Sequence, residues 1–246
     1  MLRKLTLAVA LVAFMAAPAF AAVQNVKVSG NINTTFLYRD QFDFGVTTAS
    51  QDYQQKSFIT QSILRVDADL SDNVQTVLQL INERSWHNLE NTSARNNDDN
   101  VNINLAYVRM KELLYSPLTV EIGRMQLNYG NGFIIGNGPN RFIYNSNPLV
   151  NVASDLANNR AFDTIRAILD YKPLTVDLFA SKVDANNLAG IEPQKDDIDL
   201  FGINANYQLG DDMDSVVEAY LFTQFDHSVT NAPGAKTDKI YVPGLR

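Results

Sequence analysis

The chain has 246 residues, of which 46% are hydrophobic and 19% charged, and its 27 acidic against 20 basic residues give a formal net charge of −7. This acidity argues against nucleic acid or an anionic membrane surface as the main partner. Because the chain contains no Cys, it can form neither a disulfide framework nor a thiolate metal site.

Residues 1–22 have the features of a secretory signal peptide. Arg3 and Lys4 give a positive start, residues 5–17 form a mostly apolar run, and "AFA" at 19–21 supplies the small residues of a cleavage site. The run is too short for a transmembrane helix. We therefore expect export by the Sec route. Removal of Arg3 and Lys4 changes the net charge from −7 to about −9 in the mature region, residues 23–246.

The mature region consists of segments in which apolar and polar residues alternate. In the first segment, Val26, Val28 and Ile32 share one parity, and Lys27 and Ser29 share the other. This is the period of a strand with one apolar and one polar face. The pattern predicts nine strands, at 25–39, 58–70, 74–83, 101–110, 118–125, 163–171, 174–183, 201–209 and 216–225, and a tenth that begins at Lys239.

The connections between these strands alternate in length. Long polar segments occupy 40–56, 84–100, 127–160, 184–197 and 226–238, and short turns occupy 71–73, 113–117, 172–173 and 210–214. Outer-membrane barrels have this layout, with tight turns in the periplasm and long loops outside. A soluble β-sandwich, the alternative, has no reason to sort its loops in this way.

The two faces of the predicted strands differ in chemistry. The polar parity carries Arg65, Asp67, Gln79, Glu83, Arg166, Asp170, Asp177, Asn204, Asn206 and Glu218. The apolar parity carries rings near the strand ends, which suit interfacial girdles: Phe36, Tyr38, Phe58, Tyr107, Tyr171, Tyr207 and Phe225. In lipid every backbone N–H and C=O must be paired, so strands span a bilayer only as a closed barrel. The expected fold is all-β, an antiparallel transmembrane β-barrel.

The end of the chain bears on how such a barrel closes. The sequence stops at "YVPGLR" as the tenth strand begins, without a terminal aromatic residue. An open sheet in lipid would leave unpaired edges. We therefore interpret residues 23–246 as the N-terminal part of a longer barrel, with a ten-stranded barrel as the alternative.

A glycine-rich segment, "GRMQLNYGNGFIIGNGPNRF" at 123–142, opens the longest connection. Gly130, Gly132 and Gly136 are spaced G-x-G-x-x-x-G, one residue too long for a dinucleotide fingerprint, and no Gly-Lys-Ser/Thr follows. Such a chain permits the tight turns of a loop folded into a pore. Apolar residues such as Ile134 and Ile135 favour that arrangement, and an external loop is the alternative.

The same segment carries a family resemblance. "GRMQLNYGNGFIIGN" resembles the G-R-Q-x-L-x-Y-G signature of the alginate-export outer-membrane porins, and "FDTIRAILDY" at 162–171 resembles their F-D-G-x-R strand. The resemblance extends over most of the mature chain, and it implies a barrel of about 18 strands in the outer membrane of a Gram-negative bacterium. It also implies a basic constriction that passes an anionic polysaccharide or another acidic solute. Met125 replaces the Gln of the first motif and Thr164 the Gly of the second, which leaves the substrate open.

Candidate pore-lining residues follow from the charges on the polar face, because a pore selects by the charges at its narrowest part. Arg65 and Arg166 are at mid-strand positions where a guanidinium can bind a carboxylate. Arg124 matches the Arg of the family motif, but strict alternation directs it to lipid, so we expect a bulge at Gly123 to turn it inward. The acids predicted to line the same path are Asp67, Glu83, Asp170 and Asp177. Ordinary lumen salt bridges without a selective role are the alternative.

The leading functional hypothesis is a passive channel for an alginate-like polysaccharide or related acidic solutes, without a cofactor or a metal. The alternatives are a nonspecific porin for small polar solutes and a non-transporting barrel. An enzyme is disfavoured because Ser85 and His87 have no indicated orienting acid, and His227 is the only other histidine. Residues 95–100 and 195–197 lack the ligand spacing of a calcium loop. Outer-membrane lipid is the other expected partner, and a connection to periplasmic export machinery is left open.

Overall fold

The computed structural model describes residues 24–40, 54–86, 101–137, 156–185, 197–226 and 238–246. Over these residues, ten strands form one antiparallel sheet in chain order. The strands are β1 (Asn25–Asp40), β2 (Gln54–Ser71), β3 (Val74–Ser85), β4 (Asn102–Met110), β5 (Leu118–Met125), β6 (Phe162–Asp170), β7 (Leu174–Ala185), β8 (Asp197–Gln208), β9 (Val216–Asp226) and β10 (Asp238–Leu245). Within the described residues, no helix is long and apolar enough to cross a membrane.

Each strand pairs with its neighbours in sequence, so the sheet is an antiparallel meander. This confirms the predicted all-β antiparallel fold, and the sheet is consistent with part of an outer-membrane barrel. Strand β2 begins at Gln54, earlier than the predicted residue 58, because its polar start continues the ladder with β1 through the pair Asp40 and Gln54. The predicted signal peptide, residues 1–22, lies outside the described residues.

The sheet has two chemically distinct faces, as the period of two requires. We call the face that carries Gln61, Glu121 and Asp177 the inner face. The opposite, outer face is apolar and exposed, with Ile32 at 76% and Ile165 at 58% exposure. Polar residues such as Gln61, Glu121 and Asp177 are thus sheltered on the inner face, while the apolar residues of the outer face are open. This is the reverse of a soluble protein and the arrangement of a barrel in lipid.

A bulge in β4 changes the face of one predicted girdle residue. The register between β3 and β4 shifts next to Gln79, where one extra residue in β4 reverses the alternation. Ile103 therefore lies on the outer face, but Tyr107 lies on the inner face opposite Val77. The prediction that Tyr107 belongs to the apolar parity was wrong, because it assumed an uninterrupted period.

Aromatic residues on the outer face gather near the ends of the strands. Where the strands enter the long connections, Phe58 packs on Phe36 and on Trp86, with ring centroids 5.1 and 5.0 Å apart. At the opposite, tight-turn end, the hydroxyls of Tyr115 and Tyr171 lie 3.1 Å apart. Rings at both ends of an apolar band are typical of interfacial girdles.

Both described flanks of the longest connection lie on the inner face. In the first, residues 126–137, which we call the inner turn, Leu127, Tyr129 and Ile135 are buried in one cluster with Phe179 and Phe222 of the sheet. The second flank, residues 156–161, is attached to β2 and β3 by hydrogen bonds. Of the two alternatives for this connection, the described residues follow the inward one, and residues 138–155 lie outside the described chain.

Candidate functional site: a charged ladder on the inner face

Three neighbouring strands place one carboxylate between two guanidinium groups. The register sets Glu121 of β5 beside Arg109 of β4 on one side and beside Arg166 of β6 on the other. Arg109 Nε lies 2.6 Å from Glu121 Oε1, and Arg166 Nη1 lies 3.2 Å from Glu121 Oε2. Each carboxylate oxygen therefore accepts from a different arginine, so one acid holds two bases in place.

Arg166 also binds a second acid on the following strand. Its Nε donates to Asp177 Oδ2 at 2.8 Å and to Oδ1 at 3.0 Å, and its Nη2 donates to Oδ2 as well. All three nitrogens of Arg166 thus contact carboxylates, of Glu121 on one side and Asp177 on the other. The planar guanidinium suits this arrangement because its donors are fixed in a fork.

The row of polar groups continues to the last strand. Asn204 follows Asp177 in register, and Asn204 Nδ2 donates to Glu218 Oε1 at 2.6 Å. Arg246 Nε then lies 2.9 Å from Glu218 Oε2. We call this row, from β4 to the end of β10, the charged ladder: Arg109, Glu121, Arg166, Asp177, Asn204, Glu218 and Arg246.

Acids and bases of the charged ladder differ in depth. The side chains of Glu121 and Glu218 are 2% exposed and that of Asp177 is 5% exposed, whereas those of Arg109 and Arg166 are 35% and 23% exposed. The carboxylates lie under the guanidinium groups that they bind. A solute on the inner face therefore meets the basic groups first.

The inner turn covers part of the charged ladder. The Tyr129 ring stacks on Phe179 with centroids 5.3 Å apart, and the guanidinium of Arg166 lies 5.8 Å from the centre of the same ring. Burial raises the pKa of the Tyr129 phenol, so it stays neutral. Nearby, Arg246 Nη1 donates to Asn131 Oδ1 at 2.5 Å. The turn is thus held by both aromatic and polar contacts.

Arg65 and Asp67 form a separate pair on β2. They lie two residues apart on the inner face, with Arg65 Nε 2.9 Å from Asp67 Oδ2 and Nη2 2.8 Å from Oδ1. Arg65 is 34% exposed and Asp67 is 20% exposed, so here too the base is the more accessible member. The structure places this pair on the face expected for both residues.

Two predicted acids have local structural partners instead. Glu83 Oε1 accepts the backbone N–H of Asn158 at 2.6 Å and the Gln61 side-chain amide at 2.7 Å, so it anchors the second flank of the long connection. Asp170 Oδ1 accepts the backbone N–H of Lys172 at 3.3 Å, in the tight turn after β6. Asp170 is four residues from Arg166 along one strand, about 13 Å away, and stands apart from the charged ladder.

The family described as Alginate export matches residues 24–246. The chain belongs to the alginate-export family. Membership confirms the resemblance seen in the sequence and indicates an outer-membrane channel for polysaccharide export. Comparison with curated proteins found none that matches.

The Arg of the alginate-export motif does not lie on the inner face. The register runs through Gly123 without a shift on either side, so no bulge turns Arg124 inward, and that prediction was wrong. Gly123 instead adopts a φ of +130° while it remains paired with both neighbouring strands. On the outer face, Arg124 Nε donates to the carbonyl of Ile103 at 3.1 Å, and Nη1 lies 3.3 Å from Asp163 Oδ1. Arg124 and Asp163, which match Arg and Asp of the two family motifs, thus bind each other across β5 and β6.

Sequence reasoning missed several members of the charged ladder and also Tyr129, which lies beside it. Arg109 and Glu121 could have been paired from the sequence, because the short turn between β4 and β5 limits the register of that hairpin. Arg246 could not, because its contact with Glu218 depends on how far β10 extends. Tyr129 lies in a connection, where alternation gives no information about contacts.

The residues considered for the two disfavoured alternatives, an enzyme and a calcium loop, lie mostly outside the described residues. The Ser85 side chain, His87, His227 and residues 95–100 and 195–196 lie outside the described part of the structure.

Proposed function

We propose that this chain forms part of an outer-membrane channel through which an anionic, alginate-like polysaccharide or a related acidic solute diffuses. The observation that carries the proposal is the charged ladder, in which the acids are buried beneath arginines that remain partly exposed. Family membership supports the transport class and the outer membrane. Neither a cofactor nor a catalytic step has a part in this proposal.

The depth of the charges favours an anionic solute. A carboxylate that passes the inner face approaches Arg109, Arg166 and Arg246 before it approaches the buried acids that bind them. The guanidinium group is suited to this contact because it offers a fork of donors that matches carboxylate geometry. Each arginine therefore attracts an acid, although the three bases and three acids of the charged ladder balance each other.

The pairing of these arginines also favours release. Conduction requires sites that bind strongly enough for entry and weakly enough for exit. Arg166, with carboxylates on two sides, attracts a passing anion less than an unpaired arginine would. A row of such moderated sites suits a polymer that carries one charge on each sugar.

The inner turn narrows the path that a solute takes along the inner face. Tyr129 and its neighbours occupy space on the inner face beside Arg166, which brings a solute close to the guanidinium groups. A constriction lined by charged side chains is the usual site of selection in pores.

Ion selectivity of the full-length protein in planar bilayers tests the proposal. Arg65→Gln, Arg109→Gln and Arg166→Gln, combined, should lower the anion preference and weaken block by uronate oligomers about tenfold, as expected when charged hydrogen bonds are lost. Lys111→Gln, at an exposed turn, is the matched control and should change neither.

The outcomes separate the three hypotheses. Loss of anion preference with the channel still open supports the proposal. Conductance without anion preference or uronate block in the unmodified protein would instead identify a nonspecific porin. Absence of conductance from correctly folded, full-length protein would identify a non-transporting barrel.

A further inference from the structure

The outer face carries a depression between β6 and β9 that the channel function does not use. Its volume is about 560 Å³, and its lining is mostly apolar and includes Ile165, Ala167, Leu178, Ala180, Phe201 and Leu221. The depression arises because Ala180 lies between Ile165 and Phe201 in register, so a small side chain stands between two large ones. We call it the outer trough.

A row of charges lies directly beside the outer trough, toward the long connections. The register places one residue from each of six strands in this row: Arg124, Asp163, Lys182, Asp199, Phe225 and Lys239. Lys182 Nζ lies 2.6 Å from Asp199 Oδ1, and Lys239 Nζ lies 5.5 Å from the centre of the Phe225 ring. With three cations and two carboxylates, the row, which we call the outer rim, is positive although the whole chain is acidic.

The two features lie in one line along β7. Ala180 of the outer trough is followed two residues later, about 6.6 Å along the strand, by Lys182 of the outer rim. Lys182 is 57% exposed. An outward charge costs about 2–4 kcal/mol at the bilayer midplane and about 0–1 near the interface. The outer rim therefore marks the headgroup level, and the outer trough lies in the acyl-chain region below it.

We propose that the outer trough and the outer rim together bind one phosphorylated glycolipid of the outer leaflet. One acyl chain fills the space over Ala167 and Ala180, and a headgroup phosphate accepts hydrogen bonds from Lys182. This rests on the proposed function only in requiring that the chain resides in the outer membrane with its long connections outside. An ammonium group has three donors, so Lys182 can bind a phosphate while it keeps Asp199.

The chemistry of the outer rim favours a phosphate over a neutral headgroup. Lysine binds phosphate as a point charge, and Lys239, in the same row, adds a second ammonium on the same surface. The aromatic ring of Phe225 beneath Lys239 suits the border between headgroups and acyl chains. The apolar outer trough thus suits an acyl chain, and the positive outer rim suits the phosphorylated headgroup of the same lipid.

Native mass spectrometry of the full-length protein tests this inference. The probes are a hexa-acylated diphosphoryl glycolipid and its dephosphorylated form, added to protein in detergent micelles. The unmodified protein should retain the phosphorylated form preferentially. Lys182→Gln should lower the affinity for that form about fivefold, as expected for loss of one basic contact, and leave the dephosphorylated form unchanged. Ala180→Leu, which fills the outer trough, should lower the retention of both.

Matched controls use the same face of the sheet. Lys56→Gln removes another outward lysine, which stands over Tyr38 away from the outer trough, and Ala219→Leu enlarges an outward alanine that does not line it. Both should retain lipid as the unmodified protein does. The inference would be overturned if the unmodified protein retained the two glycolipids equally, or if Lys56→Gln and Lys182→Gln had equal effects. It would also be overturned if the protein proved to be a dimer that Ala180→Leu dissociates.

Conductance of the same preparations separates this inference from the proposed function. If Lys182→Gln and Ala180→Leu conduct as the unmodified protein does and also bind the phosphorylated glycolipid as it does, the lipid site is refuted and the channel proposal is unaffected. Protein that retains the lipid but does not conduct refutes the channel and supports the lipid site.

Discussion

At the scale of single residues, the inner face separates opposite charges by depth. Glu121 is 2% exposed, yet it is bound by two arginines that are 35% and 23% exposed. A buried carboxylate requires such partners, because removing either charge of a buried pair leaves the other without compensation. The same acid therefore stabilises the sheet and moderates the positive character of the inner face.

Glu121→Gln tests both roles at once. The substitution keeps the shape but removes the charge shared by Arg109 and Arg166, so the free energy of unfolding should fall by about 2–3 kcal/mol. Anion preference should rise, because a negative charge is lost beside the arginines. Urea unfolding in lipid vesicles and reversal potentials in bilayers measure the two effects. Asp170→Asn, at the exposed end of β6, should change the free energy of unfolding by less than about 0.5 kcal/mol. Equal effects of the two variants would contradict the role given to Glu121.

Gly123 is a second residue whose identity the backbone dictates. Its φ is +130°, and an added Cβ would lie 2.2 Å from the carbonyl oxygen of Ala106 on the neighbouring strand. Gly123→Ala should therefore lower the unfolding free energy by about 3 kcal/mol or more, from backbone strain and overlap together. Chemical denaturation measures it. Gly210→Ala, also at positive φ but in open space, should lose only about 1–2 kcal/mol, and similar losses would contradict the role of the Ala106 contact.

At the scale of elements, the strands were predictable from sequence because a period of two needs no knowledge of neighbours. Their registers were predictable only across short turns. Glu121 and Arg166 lie on strands joined by a connection of more than thirty residues, whose length places no limit on pairing. The face of Arg124 was mispredicted for a related reason. A glycine in a strand allows either a bulge or a backbone at positive φ, and the choice depends on Ala106 and Tyr107 of the neighbouring strand.

The inner turn is the element whose removal should change conduction most directly. Tyr129→Ala deletes the ring that packs on Phe179 and Phe222 with centroids 5.3 Å from each, a loss of about 3–5 kcal/mol of packing. The turn should detach from the inner face, and single-channel conductance should increase with more frequent fluctuations. Tyr115→Ala, in the exposed turn between β4 and β5, is the control and should conduct normally. Unchanged conductance in Tyr129→Ala would show that this turn does not narrow the path.

At the scale of the whole molecule, the decisive property is which face meets water. The outer face exposes apolar side chains over its full width, whereas acids such as Glu121, Asp177 and Glu218 are buried on the inner face. In water that arrangement would leave the apolar side chains of the outer face exposed to solvent, so the sheet would lose much of the main driving force for folding. In lipid the same arrangement requires no such burial, because hydrocarbon replaces the missing packing partner.

Single-cysteine labelling tests this directly, because the chain has no Cys of its own. Leu178 and Ile203 are paired on the outer face, and Thr175 and Asn206 are paired on the inner face of the same two strands. The four single variants are Thr175→Cys, Asn206→Cys, Leu178→Cys and Ile203→Cys. With the protein in vesicles, a water-soluble maleimide should label the first two and spare the last two. All four should react after unfolding in urea, which serves as the control. Leu178 and Ile203 are 39% and 42% exposed in the protein itself, so only surrounding lipid can protect them, and rapid labelling there would exclude a membrane-embedded sheet.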